Sequence, residues 1–379
     1  SLQLAALGLG VAYSIPLLLF SLGTMSSVMV VVGRHLGEKN IAQVRHMLAQ
    51  SLWLALIVGA LFMFLLYISP WLFARFGQDP KIVVLAGKYC RGYMWTPPTV
   101  LFSLALQQLL TTLGRVKIVN ILSVLWLLFN ILFVYVFVMG HWGFAQHGVA
   151  GAGYAFSLTS AIILILTSLY FYTQSDLAEY RFHRAIFPVN YAAMKQYLCL
   201  GVPVGVAMTL ENGMMFMLSV MLGVIDRYSL AAYQAVTQLA FFPIMIPFGM
   251  AQASTIITSM GLGANDYHAI KQSFIITSSI VFGSMLFFSL LFILIPHSML
   301  SIILHSSTGH EKVIFHYAVP MLIIVGLYQV VEGLRLNCLG VLRGFNDVKA
   351  PLYISIVASW IFGVAVAYLF GFVFHWGVI

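Results

Sequence analysis

The sequence predicts an all-α integral membrane protein, built as a bundle of about ten membrane-spanning helices. Hydrophobic residues make up 61% of its 379 residues and charged residues only 7%, whereas a soluble domain carries about 25% charged residues. Its apolar runs are roughly 20–30 residues long, enough for a helix to cross the hydrocarbon core. Only helices and closed barrels satisfy their backbone in lipid, and a barrel would show shorter, alternating segments.

Ten spans are predicted, and most of the connections between them are short. They cover residues 4–33, 46–73, 84–113, 118–140, 148–173, 194–224, 229–260, 268–296, 313–342 and 350–374. The longest connection, residues 174–193, is polar and basic. It predicts a loop between an N-terminal lobe (1–173) and a C-terminal lobe (194–379).

An internal repeat supports two lobes of similar structure. Three short patterns recur 226 positions apart, namely Leu4-Ala5-Ala6 with Leu230-Ala231-Ala232, Leu22-Gly23 with Phe248-Gly249, and Leu36-Gly37 with Leu262-Gly263. A later pair, His141-Trp142-Gly143 with His375-Trp376-Gly377, is 234 positions apart. A shift by an even number of helices keeps orientation, so we predict parallel repeats related by a pseudo-two-fold axis along the membrane normal.

The same repeat predicts which helices this chain contains. Shifted by the repeat length, the partner of span 194–224 would precede residue 1, and the partner of span 148–173 would follow residue 379. We therefore expect a six-plus-six bundle without its first and last helices. Such a trimmed chain is not expected to transport on its own.

The formal net charge of +8 is explained by basic loops rather than by a nucleic-acid partner. Odd-numbered loops carry eleven Lys and Arg residues, and even-numbered loops with their helix ends carry six. Short loops rich in Lys and Arg face the cytoplasm. We expect the loops 34–45, 115–117, 174–195 and 343–349 to lie in the cytoplasm.

Glu211 is the most unusual residue of the sequence, because it lies in the apolar stretch 201–224. A charged residue costs about 2.5–3.5 kcal/mol or more at the centre of a membrane helix, so it should face protein or water and have a function. Helical spacing places Met208 and Met215 beside it, and methionine suits varied apolar ligands. Alternatively, Glu211 is a structural carboxyl that hydrogen-bonds to backbone or to Asn212.

Glu332 is the second acid within a predicted span. Helical spacing places Tyr328 at i−4 and Arg335 at i+3 on its side of the helix, where both can bind it. One interpretation is an internal ion pair with Arg335 that only neutralises two charges. The other is that Glu332 and Glu211 together exchange a proton or hold a cation.

No arrangement of residues indicates an enzyme, a cofactor or a metal site. The sequence contains no Gly-rich phosphate loop, no Ser/His/Asp arrangement and no zinc-protease pattern. Four histidines fall near one non-cytoplasmic loop without compact ligand spacing, and we interpret them as interfacial polar residues. They are His297, His305, His310 and His316.

Several stretches resemble the multidrug and toxic compound extrusion (MATE) family, in its NorM-like bacterial branch. The resemblance covers essentially the whole chain, and its most specific stretches are LENGMMFMLSVMLG, LAAYQAVTQLAFFPIMIPFGMAQASTIITSMGLGAND and LGVLRGFNDVKAPLYIS, with LGEKN and GVAGAGYAFSLT in support. It implies two six-helix lobes, of which this chain would hold family helices 2–11. It also implies a monomeric antiporter that exports organic cations or multiple drugs by alternating access, driven by Na⁺ or H⁺.

The resemblance assigns a cation-binding group to Glu211, Glu332 and Tyr328. Glu332 stands where the family usually has Asp, and Arg335 stands where Gln is common. In the N-terminal lobe, Asn130 matches the first residue of a family pair whose second position is Val134 here. In the family's eighth helix the common histidine is replaced by tyrosine, and Gln234 is kept.

Two other functions remain open at the level of sequence. The first is a flippase for a lipid-linked saccharide or another anionic lipid, since such proteins share this bundle and Arg335 suits an anionic head group. The second is a channel or receptor without coupled transport, which the repeat and the two intramembrane acids argue against.

Overall fold

The computed structural model describes residues 2–140, 148–181, 189–304 and 311–373. The histidine-containing repeat patterns at 141–143 and 375–377, and also His305 and His310, lie outside these ranges. By the density of their contacts, the residues form a first compact unit, 1–209, and a second compact unit, 210–379. The boundary falls inside a helix, so the predicted lobes 1–173 and 194–379 stay a prediction.

The first compact unit consists of seven helices, a short 3₁₀ turn (Ser175–Tyr180) and the first part of an eighth helix. The seven helices are α1 (Leu2–Met25), α2 (Ser27–Gly37), α3 (Ile41–Arg75), α4 (Pro80–Tyr93), α5 (Thr96–Thr112), α6 (Val116–Met139) and α7 (Val149–Thr173). The eighth, α8 (Tyr191–Ile225), continues into the second unit.

The second compact unit contains the remaining helices. They are α9 (Arg227–Ala264), α10 (Tyr267–Leu294), α11 (Pro296–Leu300), α12 (Glu311–Gly344), α13 (Lys349–Ile356) and α14 (Ala365–Tyr368). The turns Val357–Val364 and Leu369–Val373 next to α14 are π-helical, so the last span runs from Lys349 to Gly371.

Within the described ranges, nine helical stretches are long and apolar enough to cross a membrane. The all-α membrane class is therefore confirmed. The predicted span 84–113 is not one continuous helix but two shorter helices, α4 and α5, with a break at Met94 and Trp95. Proline near the start of α5 lacks a backbone N–H and cannot continue the preceding helix.

Acidic and amide side chains begin several of the helices. Asn40, Asp79, Asp226 and Asp266 each accept a hydrogen bond from a backbone N–H in the first turn of α3, α4, α9 and α10. These bonds satisfy donors that a helix leaves free at its N-terminus. These three acids near loops are thus accounted for by local structure, unlike Glu211 and Glu332.

Close packing of α9, α10 and α12 holds the second unit together. Gly340 on α12 lies directly against the backbone of Ala251 on α9, as small residues do where membrane helices approach closely. Asn337, fully buried, donates to the hydroxyls of Thr277 and Ser278 at 3.0 Å and accepts from Ser254 at 2.7 Å. This packing fixes the helix that carries Glu332 and Arg335.

Candidate functional site

The two acids predicted within the membrane lie on either side of one guanidinium group in the second compact unit. Arg335 donates from Nη1 to Oε1 of Glu211 at 3.0 Å. It also donates from Nη2 and Nε to the two carboxylate oxygens of Glu332, at 2.6 and 2.8 Å. Two acids that are distant in sequence therefore share one cation.

Tyr328 completes the group, as the helical spacing predicted. Its hydroxyl donates to Oε2 of Glu332 at 2.7 Å. All three α12 residues lie on one side of the helix because they are separated by four and three positions. The ion pair between Glu332 and Arg335, proposed as one alternative, is thus present, and Glu211 is added to it from α8.

The last span contributes two contacts that the sequence did not reveal. Ser355 Oγ lies 3.4 Å from Oε1 of Glu211, and the indole N–H of Trp360 donates to the Leu210 carbonyl at 3.1 Å. A side chain at Gly213 would meet the Trp360 ring at 3.3 Å, so the glycine lets the indole approach. In the sequence, only a polar serine within an apolar span pointed to the contact of Ser355 with Glu211, and this is a weak indication.

The charges of the group do not cancel. Among the directly bonded side chains, two carboxylates and one guanidinium leave a net charge of −1, and Arg343 on α12 interacts with Glu211 only through its charge. The side chains of Arg335 and Glu211 are 36% and 32% exposed, and that of Glu332 is 12% exposed. Glu332 is therefore the more enclosed acid, and Glu211 is the more exposed one.

A mostly apolar cavity of about 470 Å³ lies beside the group, in the same unit. Its lining includes Met215, Met221, Met321 and Phe370, together with the polar residues Tyr328 and Glu332. Ligand sites are typically apolar clefts of about this size with a few polar groups that fix orientation. The cavity can therefore hold an apolar molecule with its charged end near Glu332.

The other predicted residues are placed differently. Met215 lines the cavity, and Asn212 is half-buried next to Glu211 on α8. Gln234 is exposed on α9 and does not line the cavity, although its neighbour Tyr233 does. Met208 is half-buried on the part of α8 that belongs to the first unit.

Asn130 lies on α6 in the first unit, and its side-chain nitrogen is buried without a hydrogen-bond partner among the described residues. A separate cavity of about 170 Å³ in this unit is lined by Ser103, Gln107 and Trp126. Gln107 donates to Ser103 at 2.9 Å. Among its described residues, the first unit thus has uncharged polar groups at this cavity and not a carboxylate group of the kind found in the second.

Within the described parts of the chain, no group of three or more His, Cys, Asp or Glu residues is arranged to hold a metal ion. Of the predicted interfacial histidines, His297 stacks on Phe315 with ring centroids 5.8 Å apart. His316 is in edge contact with Tyr317 at 5.7 Å.

Comparison with known proteins identifies a family and close structural likenesses. The family model described as MatE matches residues 1–136 and 203–369. A probable multidrug resistance protein NorM of Rhizobium meliloti is 27% identical over 99% of this chain and 80% of its own length. A protein of the same name from Bacillus cereus is 25% identical over 99% of this chain and 82% of its own length.

Solved structures share the fold. A crystal structure of MATE in complex with MaL6 has a TM-score of 0.88 and 20% identity, covering 100% of this chain and 82% of that one. A MOP superfamily transporter from Pyrococcus furiosus has a TM-score of 0.85 and 20% identity. Its binding pocket is described as having reverse polarity. That match covers 99% of this chain and 81% of the other.

Proposed function

The chain belongs to the MATE family, and we propose that it exports organic cations. The family consists of membrane transporters and not of enzymes. In our proposal the chain is a multidrug antiporter that exchanges such cations for Na⁺ or H⁺ by alternating access. The names of the NorM relatives support drugs as substrates. The proposed cycle requires no cofactor, only the coupling ion Na⁺ or H⁺.

The observation that carries this proposal is the acidic group beside the apolar cavity. Glu211 and Glu332 both bind Arg335, and the net charge of −1 attracts one positive charge. An intramembrane acid that faces a cavity marks an ion or substrate pathway. The soft methionine lining of the cavity accepts apolar groups of different shape, as a multidrug transporter requires.

Antiport follows from competition for this single negative charge. A coupling ion and a cationic drug each neutralise the same group, so binding of one weakens binding of the other. Glu211 and Glu332 supply the charge, and Tyr328 orients Glu332 through its 2.7 Å hydrogen bond. A ligand shifts a conformational equilibrium only by its different affinity for the two states, so alternating access also requires the ion and the drug to prefer opposite states.

The alternative function is a flippase for a lipid-linked saccharide or another anionic lipid. Arg335 is the feature that favours it, because a basic residue in an apolar span suits an anionic head group. Both carboxylates already neutralise this guanidinium, and the remaining charge repels anions. Binding of a cationic dye and not of an anionic glycolipid would support the antiporter.

For its setting, we propose a monomer in the bacterial inner membrane, in contact with lipid. The nine long apolar helices found in the described part of the chain make it an integral membrane protein. The excess of Lys and Arg in odd-numbered loops supports a cytoplasmic position for loops 34–45, 115–117, 174–195 and 343–349.

The test is efflux of a fluorescent organic cation from vesicles that contain the protein produced from its complete gene, with Na⁺ and pH gradients applied separately. Glu211→Gln and Glu332→Gln should each reduce ion-driven efflux at least tenfold, the effect of losing about 1.4 kcal/mol of interaction. Glu179→Gln is the matched control, because Glu179 is exposed outside the long helices. If both intramembrane variants exported the dye like the wild type, the assignment of these carboxylates would be wrong.

A further inference from the structure

The two carboxylates do not bind Arg335 equally. Glu332 accepts two hydrogen bonds from the guanidinium in a fork and a third from Tyr328. Glu211 accepts one hydrogen bond from Arg335 at 3.0 Å and a long contact from Ser355 at 3.4 Å. Forked pairs between arginine and carboxylate are the stronger and more specific ones.

The origin of each acid adds to this asymmetry. Glu332 and Arg335 are three positions apart on α12, so helix geometry keeps them together in any position of that helix. Glu211 is on α8, and its bond to Arg335 joins two helices. A shift of α8 against α12 breaks that bond and leaves the Glu332–Arg335 fork intact.

We propose that Arg335 is a tethered cation that competes with incoming cations for Glu211, so that Glu211 is the exchangeable acid of the group and H⁺ is the coupling ion. Glu332 is then a positioning residue, which holds the guanidinium in reach of Glu211. This inference rests on the proposed antiport and specifies how its site selects an ion.

The surroundings of Glu211 favour H⁺ over Na⁺. A hard metal cation requires several oxygen ligands, but donors already engage both oxygens of Glu332. On α12, Arg335 bonds to Glu211 and Arg343 interacts with it through charge alone, and the other titratable groups there are Glu332 and Tyr328. The positive charge of the two guanidinium groups opposes Na⁺ and H⁺ alike, so the number of free oxygen ligands decides: Na⁺ needs several, whereas a proton needs only one oxygen of Glu211.

The first test measures binding of radioactive Na⁺ alone to the purified full-length protein. The wild type should show no saturable Na⁺ binding. Arg335→Gln should create saturable Na⁺ binding, because two carboxylates lose their internal cation. Arg335→Lys is the matched control, which keeps the positive charge and should stay without Na⁺ binding. Saturable Na⁺ binding by the wild type would by itself overturn the inference, whether or not either variant folds.

The second test uses tetraphenylphosphonium as the probe and measures its binding to the full-length protein over a range of pH. Binding to the wild type should weaken as the pH falls, because a proton on Glu211 removes the charge for which the probe competes, and Glu211→Gln should lose this pH dependence. The same pH dependence in Glu211→Gln would show that another group exchanges the proton, and would overturn the inference.

Vesicle efflux separates this inference from the proposed function. Efflux that follows a pH gradient and ignores a Na⁺ gradient supports both. Efflux driven by a Na⁺ gradient alone, with Arg335 in place, overturns the tethered-cation inference and leaves the antiporter standing. Absence of ion-driven efflux for every organic cation tested overturns the proposed function itself, independently of the Na⁺ binding result.

Discussion

Replacing Gly340 by alanine should separate the two helices that position the site. A Cβ atom at Gly340 would overlap the carbonyl oxygen of Ala251 and lie 2.8 Å from its carbonyl carbon and Cα. Ordinary contacts of a Cβ atom begin at about 3.4 Å. The obstacle is backbone on the neighbouring helix and not a flexible side chain, so α9 must move away from α12 by about 0.5–1 Å, which forfeits a quarter to a half of each contact energy.

The magnitude follows from three contributions. Overpacking of a close interface costs about 1–3 kcal/mol. The hydrogen bond from Thr255 to the Gly340 carbonyl, 2.8 Å long, is lost or lengthened, which costs about 1 kcal/mol. Alanine offsets about 0.5–1 kcal/mol because it is the better helix residue. The net loss in the free energy of unfolding is about 2 kcal/mol, or roughly a thirtyfold change in the folded-to-unfolded ratio.

The assay is equilibrium unfolding of the purified protein in mixed micelles by increasing fractions of a denaturing detergent. Gly249→Ala is the matched control, since Gly249 lies on α9 with nothing within 4 Å of an added Cβ. That variant should be unchanged or more stable by up to about 1 kcal/mol. If Gly340→Ala were as stable as Gly249→Ala, the close approach of α9 and α12 would be wrong.

Two further predictions concern the buried polar cluster and the orientation of the chain. Asn337→Leu should lower the free energy of unfolding by about 1–2 kcal/mol, the upper range for hydrogen bonds between membrane helices. In the same unfolding assay Ser279→Ala should change little, because Ser279 is exposed and bonds only to its own helix. A cysteine-free protein carrying Lys349→Cys should resist a membrane-impermeant maleimide in intact cells, while Gln78→Cys should react; the reverse pattern would overturn the proposed topology.

The composition and local spacing of the sequence were sufficient for the membrane class and for part of the site. The chain has few charges and long apolar runs, and in lipid only helices and closed barrels satisfy the backbone hydrogen bonds. The length of the runs favours helices. The positions of Tyr328, Glu332 and Arg335 on one helix were predictable because residues three and four apart share a helix face. The break at Trp95 was missed, although the two prolines that follow it mark the start of a new helix.

The partner of Glu211 was decided by tertiary structure. Glu211 and Arg335 are 124 positions apart, and helical periodicity relates only neighbours on the same helix. Which faces of α8 and α12 meet depends on how the helices pack, including close approaches such as that of Gly340 to Ala251. Sequence alone therefore identified two unusual acids and one unusual base, and only the packed structure joined them into a group that shares one cation.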